Sequence, residues 1–192
     1  MVEAILTRMR SLLRIVGWVE LSVTAFLLFA IVFSVGAQVI SRYFFNSPLI
    51  WVEEGVVYAF IWSVFLGASV GLKAQRHIRI EWLSHISGPR FAAFLYLLRQ
   101  VVVIVIVVLV FPFAIKVMNT ESRSTTVSLP WDMPRFLFFS LPLATSFVLF
   151  AVTSLFFLFA GIRVLPSGGT VDPILTFKDD DNDDAAIRAE AA

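Results

Sequence analysis

The chain has 192 residues, 59% of them hydrophobic and only 15% charged, with a mean hydropathy of +0.88. Soluble domains carry roughly a quarter charged residues, so this composition excludes an ordinary soluble domain and points to an integral membrane protein. A formal net charge of +1 leaves no basic excess for nucleic acid, and the absence of cysteine excludes disulfides, thiol catalysis and Cys-ligated zinc.

Crossing the hydrocarbon core takes roughly 20 apolar residues. The first such stretch is expected at residues 16–40, with Glu20 near its start at the membrane interface. It is too long for a signal-peptide h-region and no small-residue cleavage site follows it cleanly, so it reads as a retained span. Asn46-Ser47-Pro48 then breaks the chain. The second span, 52–72, opens at the acid pair Glu53-Glu54 and closes on a basic turn of Lys73, Arg76, His77 and Arg79.

Beyond that turn, Ile78, Ile80, Trp82, Leu83 and Ile86 interleave with polar residues. That mixture predicts a short interfacial amphipathic segment with its bases toward lipid headgroups. The third span, 91–118, is interrupted by Arg99 and Gln100. Either the span begins after Arg99, or one long tilted helix lets Arg99 snorkel to the headgroups. The fourth span is expected at 136–164. Pro112 and Pro142 fall inside predicted spans, where each should bend its helix and free a carbonyl.

From Pro166 onward Ser, Gly, Pro and a run of Asp cannot bury a core. The chain therefore divides into a four-helix transmembrane domain, 1–165, and a disordered acidic tail, 166–192. With four spans both termini share a side, which carries eleven Lys and Arg against four opposite. That bias places both termini in the cytoplasm. Trp18, Trp51, Trp82 and Trp131 fall near span ends as interfacial anchors, whereas Trp62 is in mid-span.

Several motifs resemble sites without the residues to make them. Asp179, Asp181, Asp183 and Glu190 take calcium-loop positions, but Asp184 stands where the sharp turn needs glycine, so the run reads as solvated acid. His77, Glu81 and His85 share a helical face, yet they lie in the interfacial segment and read as part of an amphipathic helix at the membrane surface, not a zinc or haem site. No nucleophile elbow, phosphate loop or metalloprotease motif is present, so the chain reads as neither an enzyme nor a cofactor protein. Glu20, a lone acid near a span end, is expected to be paired or solvated.

Gly55, Ala59, Ser63, Gly67 and Gly71 recur at every fourth position of the second span. They form one helix stripe about 24 Å long, along which another backbone can approach closely. The residues alone leave it open whether that backbone belongs to this bundle or to a partner. Glu53 and Glu54 are likewise open between complementing the helix dipole and pairing with a partner or with Arg42, Arg123 or Arg135.

Residues 42–81 carry a resemblance to a known family. Arg42-Tyr43 after the first span, then Asn46, Pro48 and Trp51, the acid pair Glu53-Glu54, Trp62, Phe65-Leu66-Gly67-Ala68 and His77-Ile78 follow in order. This set resembles the small membrane subunit, of DctQ type, of tripartite ATP-independent periplasmic (TRAP) transporters. The resemblance implies an all-α integral membrane protein of the bacterial inner membrane, with four transmembrane helices. It also implies two partners: a large permease subunit that carries the substrate and ion sites, and a periplasmic substrate-binding protein.

The small subunit is then a non-catalytic scaffold with no cofactor, in a complex that takes up organic anions on a sodium gradient used by the large subunit. The resemblance tips Arg42, Trp51, Glu53, Glu54, Gly55, Ala59, Ser63, Gly67 and Gly71 toward the permease interface. The loops around 44–49 and 121–132 become candidates to touch the binding protein. The rival expectations are an autonomous ion-coupled transporter using Glu20 and a small membrane redox or metal protein.

Overall fold

The computed structural model describes residues 2–75, 89–130, 132–164, 171 and 173–175. Four long helices dominate: α1 (Val2–Phe44), α2 (Ile50–Lys73), α3 (Pro89–Glu121) and α4 (Ser140–Val164), with a 3₁₀ turn at Arg135–Leu137 before α4. All four contain windows long and apolar enough to cross a membrane, within Leu6–Phe44, Ile50–Lys73, Phe94–Glu121 and Arg135–Arg163. At 1.5 Å per residue α1 is about 65 Å long, well beyond a bilayer core.

The helices pack as two antiparallel hairpins, α1 with α2 and α3 with α4, joined through α2 and α4. The bundle thus has a near end, where α1 starts and α2 ends, and a far end, which holds the α1–α2 turn and the loop before α4. Because α2 and α4 are central, 33% of their spanning windows is buried, against 11% for α1 and α3.

Along α1 the less exposed positions include Leu13, Gly17, Glu20, Thr24, Leu27, Ile31, Ser34, Gln38 and Ser41. They alternate by four and three residues, the seven-residue repeat that keeps one seam facing a neighbouring helix. Most of this seam is polar. Phe26, Phe29, Val32 and Phe33 point outward instead, each about 70% exposed.

The helix ends follow local chemistry. Asn46 adopts a left-handed φ of 48°, the Ser47 N–H donates to the Ser41 carbonyl at 3.2 Å, and Pro48 prevents continuation. α3 runs unbroken through Arg99 and Pro112, as a single helix of 33 residues. Pro142 falls within the fourth span, in the first turn of α4, where its missing N–H has no intrahelical partner to lose. The Ser140 hydroxyl, at the start of that helix, donates to the Glu121 carboxylate at the end of α3.

One stretch departs from the sequence expectation. Within the segment from 166 that was read as disordered, Ile174 and Leu175 are each 1% exposed against the near end of the bundle. Their apolar side chains enter two small clusters, with Leu13, Phe156 and Phe157 and with Val70 and Ala74. The amphipathic segment expected after α2 and the acidic run from 179 lie outside the described residues.

Candidate functional site

The acid pair at the start of α2 divides its work. Glu53, in the first turn of the helix, lies 3.5 Å from Arg42 and accepts a 2.6 Å hydrogen bond from the Gln38 amide, with both charged side chains 55% exposed. Glu54 turns the other way, into the loop between α3 and α4. The N–H groups of Val127, Ser128 and Leu129 donate to its carboxylate at 3.1, 2.5 and 3.0 Å.

Three consecutive backbone amides converging on one anion form a nest, and hydrogen bonds to a charged acceptor are the strong kind. The loop is shaped for this by a short bridge between Thr125 and Pro134, with the Thr126 N–H donating to the Met133 carbonyl at 2.9 Å. The Tyr58 hydroxyl also donates to Glu54, and its ring stacks on Phe138 at 4.2 Å and meets Phe139 edge-on at 5.4 Å. Trp62, anomalous as a mid-span tryptophan, donates its indole N–H to the Leu137 carbonyl at 3.3 Å. The loop before α4 is therefore fastened along three turns of α2.

The small stripe also divides. A Cβ on Gly67 would sit 3.7 Å from the Thr24 methyl, so this part of the stripe is closed by α1. Ser63 is buried and donates to the Phe60 carbonyl of its own helix at 2.8 Å. Toward the far end the seam is less completely filled. Gly55 and Ala59 line a cleft of about 220 Å³ with Ala30, Ile31, Ser34 and Trp51, and a Cβ on Gly55 would meet nothing within 4 Å. Gly71 lies partly buried near the other end of α2.

Of the basic turn, only Lys73 is described; Arg76, His77 and Arg79 lie outside the described residues. Lys73 does not reach outward from the bundle. It is fully buried, and its Nζ donates to both Glu20 oxygens and to the Ser69 hydroxyl, all at 2.8 Å. Glu20, expected to be paired or solvated, is paired: at 4% exposure it forms a buried ion pair with Lys73 between α1 and α2. Two charges are held out of water only where their geometry satisfies both, as three donated bonds from one ammonium do here.

Sequence reasoning missed the pairing because 53 residues separate the partners. The one available signal was Ser69, one turn before Lys73 and on its face. Gln100, fully buried in α3, was noted only as an interruption of a span. Among the described residues, no group of three His, Cys, Asp or Glu side chains is placed to hold a metal ion.

A family model described as "Tripartite ATP-independent periplasmic transporters, DctQ component" matches residues 31–164. The chain belongs to this family. It is a multi-pass membrane protein and a TRAP small subunit of DctQ type. Similar proteins include the C4-dicarboxylate TRAP transporter small permease protein DctQ of Vibrio cholerae serotype O1 (strain ATCC 39315 / El Tor Inaba N16961). It is 39% identical over 72 residues, covering 38% of this chain and 31% of that protein.

The sialic acid TRAP transporter permease protein SiaT of Haemophilus influenzae (strain 86-028NP) is 33% identical over 86 residues, 45% of this chain and 14% of that protein. The matched segments thus span less than a third of either relative's length. Within this DctQ chain, the family match takes in the Glu54 nest, the cleft apart from Ala30, and Lys73, and leaves out Gly17, Glu20 and residues 171–175.

Proposed function

We propose that this DctQ chain is the non-catalytic scaffold of a TRAP secondary transporter, binding the large permease subunit and stabilising it in the bacterial inner membrane. The family match over 31–164 carries the reading. The packing agrees with it: each hairpin leaves an outer helix, α1 or α3, broadly exposed to lipid or to a neighbouring subunit. Both termini are cytoplasmic on this reading, because the lysine and arginine excess lies on their side. The near end is then cytoplasmic and the far end periplasmic. The solute class is organic anions, supported by relatives named for C4-dicarboxylates and sialic acid. The coupling ion, sodium, acts through the large subunit, and no cofactor is needed here.

The permease interface is drawn more narrowly than the whole small stripe. Ser63 and Gly67 are occupied within the α1–α2 hairpin and Glu54 within the loop nest, so they support the interface from inside. Gly55, Ala59 and Trp51 in the open cleft, together with the exposed Arg42–Glu53 pair at the far end of the same hairpin, are the surface offered to the permease. The nest-held loop at residues 124–135 is offered to the periplasmic binding protein.

Co-expression with the large permease tests this. A Gly55→Leu substitution fills the cleft and should abolish co-purification of the permease while leaving the subunit folded. Uptake by this subunit reconstituted alone would overturn the scaffold reading.

A further inference from the structure

We propose that residues 173–175 act as a strap that closes the near end of the bundle and keeps the Glu20–Lys73 pair dry. The N–H groups of Ile174 and Leu175 donate to the Lys73 carbonyl at 3.0 and 3.4 Å. That carbonyl belongs to the last turn of α2, where the helix supplies no donor of its own. The strap thus completes the end of the helix that carries the lysine.

Two side chains reach across to hold it. Gln75 donates from Nε2 to the Val171 carbonyl at 3.3 Å, and Arg10 from Nη2 to the Pro173 carbonyl at 3.1 Å. Gln75 also ends α2 in the left-handed region at φ 54°, a conformation unusual for a residue with a side chain, and its bond to the strap fixes it there.

The fit beneath the strap is close. A Cβ on Gly17 would lie 2.9 Å from Leu175 Cδ1 and 3.1 Å from Lys73 Cδ. A larger residue at 17 therefore pushes on both the strap and the lysine stem. Gly36, in the same helix, has nothing within 4 Å of its Cβ position. The two glycines differ in what they admit: Gly17 makes room for Leu175, and Gly36 makes room for nothing.

The strap is separable from the helices it covers. Its hydrogen bonds go to the end of α2 and to two long side chains, while the α1–α2 seam continues independently through Thr24 and Gly67. Lifting it opens the Glu20–Lys73–Ser69 cluster to water without parting the helices along their length. A dry pair fixes α1 to α2; a wet one is screened and holds them weakly. The strap therefore sets how rigidly the near end of the hairpin is held.

Because the chain lacks cysteine, a single Ser69→Cys substitution gives a clean reporter inside the cluster. A membrane-impermeant maleimide should label it slowly in the full-length subunit. Labelling should speed up at least tenfold when Ile174→Ser and Leu175→Ser are added, and likewise with Gly17→Val. Gly36→Val should leave the rate unchanged. Equal rates with and without the strap substitutions, or fast labelling in the Ser69→Cys protein alone, would overturn the proposal. Should Ser69→Cys itself disturb the bundle, amide hydrogen exchange on the unsubstituted protein decides. Protection of the Ile174 and Leu175 amides by tenfold or more is expected, and exchange at the unstructured rate rejects the strap. Neither readout needs the permease, so the result is independent of the scaffold reading.

Discussion

At opposite ends of α2, Lys73 and Glu54 are held in opposite ways. At the near end the Lys73 ammonium is fully buried and neutralised by another side chain, Glu20, from α1. At the far end the Glu54 carboxylate is neutralised by three backbone amides of a loop, with no cation required. The near-end pair joins helix to helix in a dry interior. The far-end nest joins a loop to the start of a helix. The first solution has no tolerance for losing one member, because the survivor is a buried charge. The second degrades by degrees, since each amide released regains a partner in water.

Substitutions at the two ends break this comparison in different ways. Lys73→Met alone leaves Glu20 buried without a partner and should cost about 3–5 kcal/mol in thermal unfolding of the purified subunit. Adding Glu20→Leu should recover most of that loss, since an apolar pair can replace an ion pair in a packed interior. A double variant no better than the single would show that the pair is not the reason for the loss. Glu54→Ala removes a charged acceptor from three amides and a phenol. It should cost about 2–3 kcal/mol and raise amide exchange at Val127, Ser128 and Leu129 while leaving α1 and α4 protected.

The seam between α1 and α2 sharpens the contrast. Gly67→Leu forces a side chain toward Thr24 and should destabilise the subunit by about 1–3 kcal/mol, as overpacking does. Gly55→Leu enters open space and should leave the melting temperature nearly unchanged. Arg42→Ala is expected to have the smallest effect, about 0–1 kcal/mol, because its partnership with Glu53 is half exposed. A large loss there would mean that the far-end pair is more buried in the membrane than its exposure implies.

Much of the fold was legible because bilayer length and helix periodicity act locally. The four spans, the break at Asn46-Ser47-Pro48 and the ordered residues from Arg42 onward are all read within short windows. What was hidden depends on chain-distant geometry. Glu54 is held by main-chain amides 73–75 residues away, which leave no side-chain signature. The buried pair was obscured because Lys73 sits beside Arg76, His77 and Arg79, so a core lysine read as part of a surface cluster. The apolar Val171, Ile174 and Leu175 were passed over because the Pro and Gly around them, and the acids beyond, dominate local composition. The stripe from Gly55 to Gly71 was visible, but not its division into a closed part and an open part, which depends on how completely the seam with α1 is filled.

Cross-linking from single positions in the cysteine-free chain tests the scaffold claim most directly. A photoactivatable maleimide placed at Gly55→Cys, in a subunit co-expressed with the large permease, is predicted to capture the permease. The same reagent at Gly67→Cys, facing Thr24, should capture none. Capture from 67 and not from 55, or from neither position, would contradict the placement of the permease at the open half of the α1–α2 seam.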